Sequence, residues 1–135
     1  RDASCILALT EDNKVLLVSQ YRPGPGKVLD ELPGGIVDPD DDNPEAAIKR
    51  ELLEETGYEG DVEFVSEVYD DAYSTIVRHC FVATNCRKVT DTEFSEGEYI
   101  EMKTVSIDEF RSLLRSGEMT DVEVGYRCLD YLGLL

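Results

Sequence analysis

The sequence predicts an α/β (α+β) domain in which a mixed β-sheet is covered by helices on both faces. Strand-like runs outnumber helical segments, and the two kinds are mixed in order along the 135 residues. The runs 3–10 and 14–20 are almost continuously apolar, which is typical of central strands buried on both faces. The length suits one hydrophobic core, so we expect a single α/β/α sandwich domain over residues 1–135.

The first two predicted strands form a hairpin, because the polar turn 11–13 separates them. A loop rich in proline and glycine follows. It leads into a short extended piece that ends in a turn made by Gly34 and Gly35. Three further runs read as strands: 61–69, 74–84 and 99–105. A long polar connection, 85–98, joins the last two of these strands.

Two helices are predicted near the C-terminus from their capping signals. Ser106 and Glu109 form a capping box at the start of the first, and Gly117 ends it. Thr120 and Glu123 repeat the capping pattern and predict the start of the last helix.

The charge of the chain excludes several classes of partner. Acidic residues outnumber basic residues by 30 to 13, which gives a net charge of −17. Such a surface repels phosphate backbones and anionic membranes, so we expect neither nucleic acid nor a membrane as a partner. A small anionic substrate is compatible with this charge if metal ions or local arginines bind it.

Cysteine usage indicates the compartment. None of Cys5, Cys80, Cys86 and Cys128 forms a CxxC pair, and the single histidine leaves no zinc-finger spacing. Cys5 and Cys80 lie in apolar runs and are predicted core thiols. Reduced thiols favour a cytoplasmic location. The chain begins at Arg1 rather than Met, which leaves open whether a segment precedes it.

A third helix, predicted over 45–56 and capped by Asn43, concentrates carboxylates on one face. At about 100° per residue, Glu51, Glu54 and Glu55 share an arc of about 100°. One interpretation is a solvated acidic face, since charge runs usually lie at the surface. The other is a site for Mg²⁺, which prefers carboxylate oxygens. Metal ions would offset the repulsion between like charges one helical turn apart.

The stretch around this helix, "GGIVDPDDDNPEAAIKRELLEETGY", resembles the Nudix box of Nudix hydrolases, G-x5-E-x7-R-E-U-x-E-E-x-G-U. The matching positions are Gly35, Arg50, Glu51, Leu52, Glu54, Glu55, Gly57 and Tyr58. The loop is one residue longer than the pattern. Counted back from Arg50, the first acid is Asp42, whereas counted forward from Gly35 it is Asp41. The resemblance implies that one of these aspartates pairs with Arg50.

The resemblance also implies an activity. Nudix enzymes hydrolyse a nucleoside diphosphate linked to another moiety, and the cofactor implied is Mg²⁺, with Mn²⁺ as the alternative. By resemblance, Glu51 and Glu55 are the leading metal ligands. Glu54 is a third ligand or a base that positions water, and the carbonyl of Gly34 is a backbone ligand. The order of elements along nearly the whole chain also resembles the Nudix α/β/α sandwich.

Two other segments resemble the branch of ADP-ribose and nucleotide-sugar pyrophosphatases. In that branch a glutamate in the loop before a late strand acts as catalytic base, and Glu96 and Glu98 occupy such a loop; a solvated acidic loop is the alternative. "QYR" and "ELPGG" resemble the elements before the box. Arg22 would then bind a phosphate or ribose and Tyr21 would pack on a base; otherwise Tyr21 lies in the core and Arg22 at the surface.

One departure bears on the substrate. Many ADP-ribose enzymes carry a proline about fifteen residues after the box, whereas the corresponding "YDDAYSTI" has none. Three hypotheses follow. The first is hydrolysis of ADP-ribose or another nucleoside diphosphate sugar. The second is a housecleaning hydrolase of nucleoside triphosphates or dinucleoside polyphosphates. The third is an inactive Nudix domain that binds a nucleotide to regulate a partner. Many enzymes of the branch are homodimers, which makes a homodimer an expectation here.

Overall fold

The computed structural model describes residues 1–92 and 100–135. In these ranges the strands are β1 (Asp2–Thr10), β2 (Val15–Arg22), β3 (Lys27–Glu31), β4 (Gly34–Ile36), β5 (Tyr58–Tyr69), β6 (Val77–Lys88) and β7 (Ile100–Val105). The helices are α1 (Pro44–Thr56), α2 (Ile107–Ser116) and α3 (Val122–Leu132). Among these helices, none combines the length and apolarity needed to cross a membrane.

The strands form one mixed sheet in the order β3-β2-β1-β6-β5, with β4 paired to β1 and β7 to β2. The pair β1–β6 is parallel, and the other strand pairs in the described part of the chain are antiparallel. β1 is central: it pairs with β4 and β2 on one side and with β6 on the other. The predicted mixed sheet is confirmed.

Strand β1 is buried on both faces, as its apolar run predicted. Cys5, Leu7 and Leu9 pack into one core cluster with side chains of α2 and α3. Ile6 and Ala8 pack into a second cluster with α1. Helices therefore cover both faces of the sheet, and the predicted α/β/α sandwich is confirmed.

Helix α1 begins and ends where the sequence predicts. The side chain of Asn43 accepts a hydrogen bond from the Ala46 amide at 2.8 Å. Gly57 closes the helix with φ 77°, a left-handed conformation that favours glycine. A Cβ on Gly57 would also lie 2.2 Å from the carbonyl oxygen of Thr90, so two independent constraints require glycine here.

The capping box of Ser106 and Glu109 is present, as predicted for α2. The predicted start of α3 is wrong. Its N-cap is Asp121, not Thr120, and Asp121 adopts a left-handed conformation with φ 58° and makes no capping hydrogen bond. The physical reason is a competing partner, because the Asp121 carboxylate accepts a hydrogen bond from Arg78.

Several strand boundaries differ from the sequence prediction, and two of the differences have a clear physical reason. Gly34 and Gly35 form strand β4 rather than a turn, because they pair with Cys5 and Ser4 of β1. Strand β6 extends into the predicted polar connection as far as Lys88, which pairs with Tyr58 of β5. In both places backbone pairing with a distant strand overrides the local turn signal.

All four cysteines are buried free thiols. Burial is the main cause that raises their pKa, to about 11 for Cys80 and Cys86 and about 12 for Cys128. The prediction that Cys5 and Cys80 are core thiols is confirmed.

Candidate active site

A polar cavity of about 250 Å³ opens beside β1, where residues of β2, β3, β4, β6 and α1 meet the segment before α3. Its charged and hydroxyl-bearing wall residues include Arg22, Glu31, Glu55, Arg78, Thr120 and Asp121. Gly34 and Gly35 also line it. The C-terminal end of the acidic helix and the glycine strand therefore reach the same cavity.

Glu55 is the glutamate of α1 that faces this cavity. The residue is only 8% exposed, although its side chain ends in a carboxyl group. The amide of Gly34 donates a hydrogen bond to its Oε1 at 3.0 Å. The glycine strand thus holds the carboxylate in place at the cavity wall.

Glu51 lies one helical turn before Glu55 and packs against Gly35. A Cβ on Gly35 would lie 2.8 Å from Oε1 of Glu51, so the close approach requires glycine. Burial is the largest cause that raises the pKa of Glu51. The charge of Glu54 raises it further, while Arg50 and a hydrogen bond with Glu55 act to lower it. Glu51 and Glu55 are therefore neighbours in one polar site.

Five residues form what we call the Arg50 cluster: Asp38, Asp41, Arg50, Glu51 and Glu54. Asp41 accepts two hydrogen bonds from Arg50, at 3.0 Å to Nε and 2.9 Å to Nη2. Nη1 of Arg50 contacts Glu51 at 3.1 Å and Glu54 at 3.3 Å, and Nη2 lies 3.4 Å from Asp38. Arg50 therefore joins the acidic loop to the acidic helix.

The aspartate that pairs with Arg50 is Asp41, and the assignment of this role to Asp42 is wrong. Asp42 is exposed, while the side chain of Asp41 is only 8% exposed. The extra loop residue is absorbed after Asp41, before the helix cap at Asn43. The hydrogen bond from Arg50 is the largest cause that lowers the pKa of Asp41.

Glu54 is separated from the cavity that Glu55 faces. Its side chain is 39% exposed, and it lines a different groove together with Thr90 and Asp91. Of the three box glutamates, Glu55 is buried, Glu51 is partly buried with its side chain 18% exposed, and Glu54 lies on the outer side of the helix.

The two residues predicted to bind substrate, Arg22 and Tyr21, lie in different places. Arg22 lines the cavity, and its guanidinium donates to both oxygens of buried Glu31, at 2.6 and 2.8 Å. Tyr21 is 57% exposed and lies opposite Val28 of β3. Because successive strand residues point to opposite faces, Tyr21 is directed away from the face that carries Arg22. Tyr21 therefore belongs neither to the core nor to the cavity wall.

Comparisons with known proteins identify the family and the fold. The sequence model of the NUDIX domain family matches residues 1–128. This chain belongs to the NUDIX domain family. An ADP-ribose pyrophosphatase of Bacillus subtilis (strain 168) is 27% identical over 135 residues, covering 98% of this chain and 72% of the relative. A GDP-mannose pyrophosphatase of Yersinia enterocolitica is 33% identical over 131 residues, covering 88% of this chain and 66% of the relative.

A crystal structure of an ADP compounds hydrolase matches the Nudix fold of this chain with a TM-score of 0.79 at 20% identity, covering 99% of this chain and 75% of that one. The chain thus spans 66% to 75% of the length of these three relatives. The predicted family, its pyrophosphatase branch and the predicted enzyme class are confirmed.

Nudix hydrolases generally require a divalent metal ion. Within the described residues, no three acidic, histidine or cysteine side chains are already gathered as a metal site. The donor chemistry nevertheless fits, because Glu51 and Glu55 offer adjacent carboxylates beside a glycine strand. These two side chains could hold the ion, with Arg50 occupying part of the same acidic face.

The two loop glutamates proposed as base, Glu96 and Glu98, lie outside the described residues. Sequence reasoning also missed several cavity residues: Glu31, Thr120 and Asp121. Glu31 had a signal, since it stands in the "ELPGG" segment beside the "QYR" arginine it binds. Thr120 and Asp121 carried only a helix-capping signal, which concealed their place at the cavity.

A second arginine gathers carboxylates beside the cavity, and we call Asp70, Arg78, Asp121 and Glu123 the Arg78 cluster. Nη1 of Arg78 donates to Asp121 and, at 3.0 Å, to Glu123. Nε of Arg78 lies 3.1 Å from Asp70. Arg78 and Asp121 line the cavity, so this cluster forms part of its wall.

Proposed function

We propose that this chain is a Mg²⁺-dependent pyrophosphohydrolase of a nucleoside diphosphate sugar, with ADP-ribose as the first candidate. The products are a nucleoside monophosphate and a sugar phosphate. Support comes from the relatives, which are named ADP-ribose and GDP-mannose pyrophosphatases. The intact set of box glutamates favours an enzyme over a nucleotide-binding domain that has lost its activity.

One observation carries the proposal: buried Glu55 is held at the wall of a polar cavity by the Gly34 amide, with Glu51 beside it. A carboxylate is kept buried only when other groups offset the cost of its desolvation. A divalent ion bound by these glutamates would neutralise pyrophosphate charge and activate a water. Negative charge is thus concentrated at Glu51 and Glu55, where the proposed reaction requires a divalent cation.

Arg22 supplies the positive charge that an anionic substrate needs. Its guanidinium is planar and lies on the cavity wall, held from one side by Glu31. This contact fixes the side chain and leaves its outer edge to meet a phosphate. Arg22 is therefore proposed to orient the pyrophosphate against the site of Glu51 and Glu55.

The base is proposed to come from Glu96 or Glu98. Glu96→Gln and Glu98→Gln, assayed at saturating Mg²⁺, are expected to differ sharply in turnover, because only one glutamate can take the proton of the attacking water. Rates close to wild type in both variants would remove this loop from the mechanism.

The test of the whole proposal is a substrate panel with product analysis at defined Mg²⁺ and Mn²⁺. ADP-ribose, other nucleoside diphosphate sugars, nucleoside triphosphates and dinucleoside polyphosphates are compared. We expect nucleoside monophosphate and sugar phosphate from the sugars. Release of pyrophosphate from triphosphates, with sugars untouched, would favour the housecleaning alternative, and no turnover on any substrate would favour a binding domain.

A pair of glutamate variants distinguishes a specific role of Glu55 in activity from a general effect of losing a charge on α1. Glu55→Gln is expected to lower kcat about a thousandfold while the protein stays folded, because the change removes one charge and keeps the side-chain volume. Glu45→Gln is the matched control, since Glu45 is exposed in the first turn of the same helix. Equal activity in both variants would refute the assignment of Glu55.

Two expectations from the sequence remain proposals. Four buried free thiols support a reducing, cytoplasmic location. The homodimer implied by the family resemblance is testable by light scattering at micromolar concentration, where a mass near twice the 15.1 kDa of the chain is expected.

A further inference from the structure

The segment before α3 contributes a cavity wall at an unusual backbone conformation. Asp121 has φ 58° and ψ 32°, a region that residues other than glycine rarely adopt. It stands at the N-cap of α3, where an aspartate normally accepts a hydrogen bond from the helix. Its carboxylate makes no such bond and is turned instead to Arg78 and the cavity.

The neighbouring residue, Thr120, has a hydroxyl group that is unsatisfied within the part of the chain that the structure describes. Its hydroxyl oxygen is buried, and among the described residues it has no hydrogen-bond partner. Thr120 lines the same cavity. Buried hydroxyl groups in native proteins are almost always paired, so this oxygen points to a ligand that binds there.

The Asp121 carboxylate is held in place through one oxygen, and its other oxygen can still accept a hydrogen bond. Its Oδ1 accepts from Arg78, which is anchored in turn by Asp70 and Glu123. Among the described residues, its Oδ2 has only a long contact, 3.9 Å, with the thiol of Cys5. Because a carboxylate oxygen accepts two hydrogen bonds, Oδ2 can accept one from a ligand hydroxyl.

The register of three strands gives the distance from this wall to the glycine strand. Ser4 of β1 pairs with Gly35 on one side and with His79 on the other. Arg78 is therefore about two strand spacings, or ~10 Å, from the glycines that hold Glu51 and Glu55. A substrate whose pyrophosphate lies at the glutamates can reach Thr120 and Asp121 with the group attached to it.

The charge of the wall indicates the chemistry of that group. One arginine faces three carboxylates, Asp70, Asp121 and Glu123, so the Arg78 cluster is negative overall. A further phosphate would be repelled there. Hydroxyl groups fit, since they donate to a carboxylate and also exchange a hydrogen bond with a threonine.

We infer that Thr120 and Asp121 bind hydroxyl groups of the sugar attached to the nucleoside diphosphate, with Arg78 as the positioning residue. This inference rests on the proposed function and deepens it. The two residues select a hydroxyl-rich leaving group and disfavour the phosphate tail of a nucleoside triphosphate. Specificity thus comes from a wall that is separate from the metal-binding glutamates.

The test compares two substrates that differ only beyond the pyrophosphate: ADP-ribose and an alkyl ester of ADP that has no hydroxyl there. Thr120→Val removes the hydroxyl and keeps the side-chain shape. We expect it to raise KM for ADP-ribose about tenfold, the scale of one lost hydrogen bond to a buried group, with kcat within about twofold. KM for the alkyl ester stays unchanged. Thr104→Val, an exposed threonine of β7, is the matched control and leaves both substrates unchanged.

Calorimetry of the products gives a second readout that does not depend on turnover. Thr120→Val is expected to weaken binding of ribose 5-phosphate about tenfold and to leave binding of AMP unchanged. Asp121→Asn has the same expected pattern, and if it fails to fold, Thr120→Val alone decides. Equal losses for both products, or none for the sugar phosphate, overturn the inference.

The two proposals fail in different ways. If the wild-type protein hydrolyses no nucleoside diphosphate sugar, the proposed function fails, and the binding of ribose 5-phosphate to wild type and Thr120→Val still decides the inference. If the wild-type protein hydrolyses ADP-ribose and Thr120→Val treats both substrates as wild type does, the function stands and the inference is wrong.

Discussion

The Arg50 cluster and the Arg78 cluster use the same chemistry in two parts of the molecule. Each places one arginine among at least three carboxylates. The first draws all its members from residues 38–54, within one loop and one helix. The second draws them from residues 70–123, which only the sheet and the start of α3 bring together. The same ionic arrangement is therefore encoded locally in one place and by topology in the other.

The geometry of the two arginines differs as well. Arg50 makes a two-pronged contact with one partner, Asp41, and its side chain is 30% exposed. Arg78 donates hydrogen bonds through Nη1 to Asp121 and Glu123, lies in ion-pair range of Asp70, and is 19% exposed. A two-pronged contact fixes orientation, whereas a divided one mainly balances charge. We conclude that Arg50 aligns the loop with the acidic helix and that Arg78 makes the burial of Asp121 tolerable.

The largest effect on stability is expected from Arg78→Met. Removing the cation leaves Asp121, whose side chain is only 15% exposed, without its charged partner. We expect the free energy of unfolding to fall by about 3 kcal/mol, the lower end for breaking a buried ion pair. Urea denaturation measures it. Arg87→Met is the control, because Arg87 is 63% exposed. A loss below about 1 kcal/mol in Arg78→Met would show that solvent already screens the cluster.

An intermediate effect is expected at the Arg50 cluster, where two neighbouring aspartates form a matched pair. Asp41→Asn weakens a charge-assisted contact and is expected to lower kcat about tenfold and to lower the free energy of unfolding. Asp42→Asn changes neither, because Asp42 is exposed. Steady-state kinetics and denaturant unfolding of both variants decide the matter. The reverse order of effects would restore Asp42 as the partner of Arg50.

The same pair has a pH signature. Because Arg50 lowers the pKa of Asp41 in the folded protein, the contribution of Asp41 is present above the unfolded carboxyl pKa of about 3.9. That contribution is lost as the pH falls through the lower, folded pKa. The free energy of unfolding, measured by denaturant titration at several pH values between pH 6 and pH 3, is therefore expected to fall less steeply with decreasing pH in Asp41→Asn than in wild type. The same dependence of stability on pH in both proteins would contradict the conclusion that Arg50 stabilises the charged form of Asp41.

The smallest effects are expected where each cluster is most exposed. Glu54 and Glu123 have side chains 39% and 47% exposed, and each contacts its arginine. Glu54→Gln and Glu123→Gln should each change stability by less than about 1 kcal/mol. Turnover separates them, since Glu54 belongs to the box and is expected to be needed for activity. Equal turnover in the two variants would remove Glu54 from the catalytic set.

How far the sequence predicts the structure follows the same division between local and distant signals. Asn43 and Gly57 predicted the limits of α1 because caps are properties of a few consecutive residues. The box pattern placed Glu51 and Glu55 one helical turn apart for the same reason, but it also included Glu54, which lies on the outer side of the helix. Gly34 and Gly35 were predicted as a turn because their pairing with β1 depends on residues 30 positions away. Thr120 was misread as a cap because nothing near it in sequence reveals Arg78 as the partner of Asp121.

The position of Arg50 also bears on whether the acidic helix needs a metal ion in order to fold. In the folded chain its guanidinium neutralises part of the charge of Glu51 and Glu54. The acidic helix therefore carries a resident counter-ion and does not depend on a metal to form. Small zinc domains behave differently, because they unfold when a chelator removes the metal. We therefore expect assembly of the fold and loading of an ion to be separate steps, so that removing the ion with a chelator leaves the protein folded.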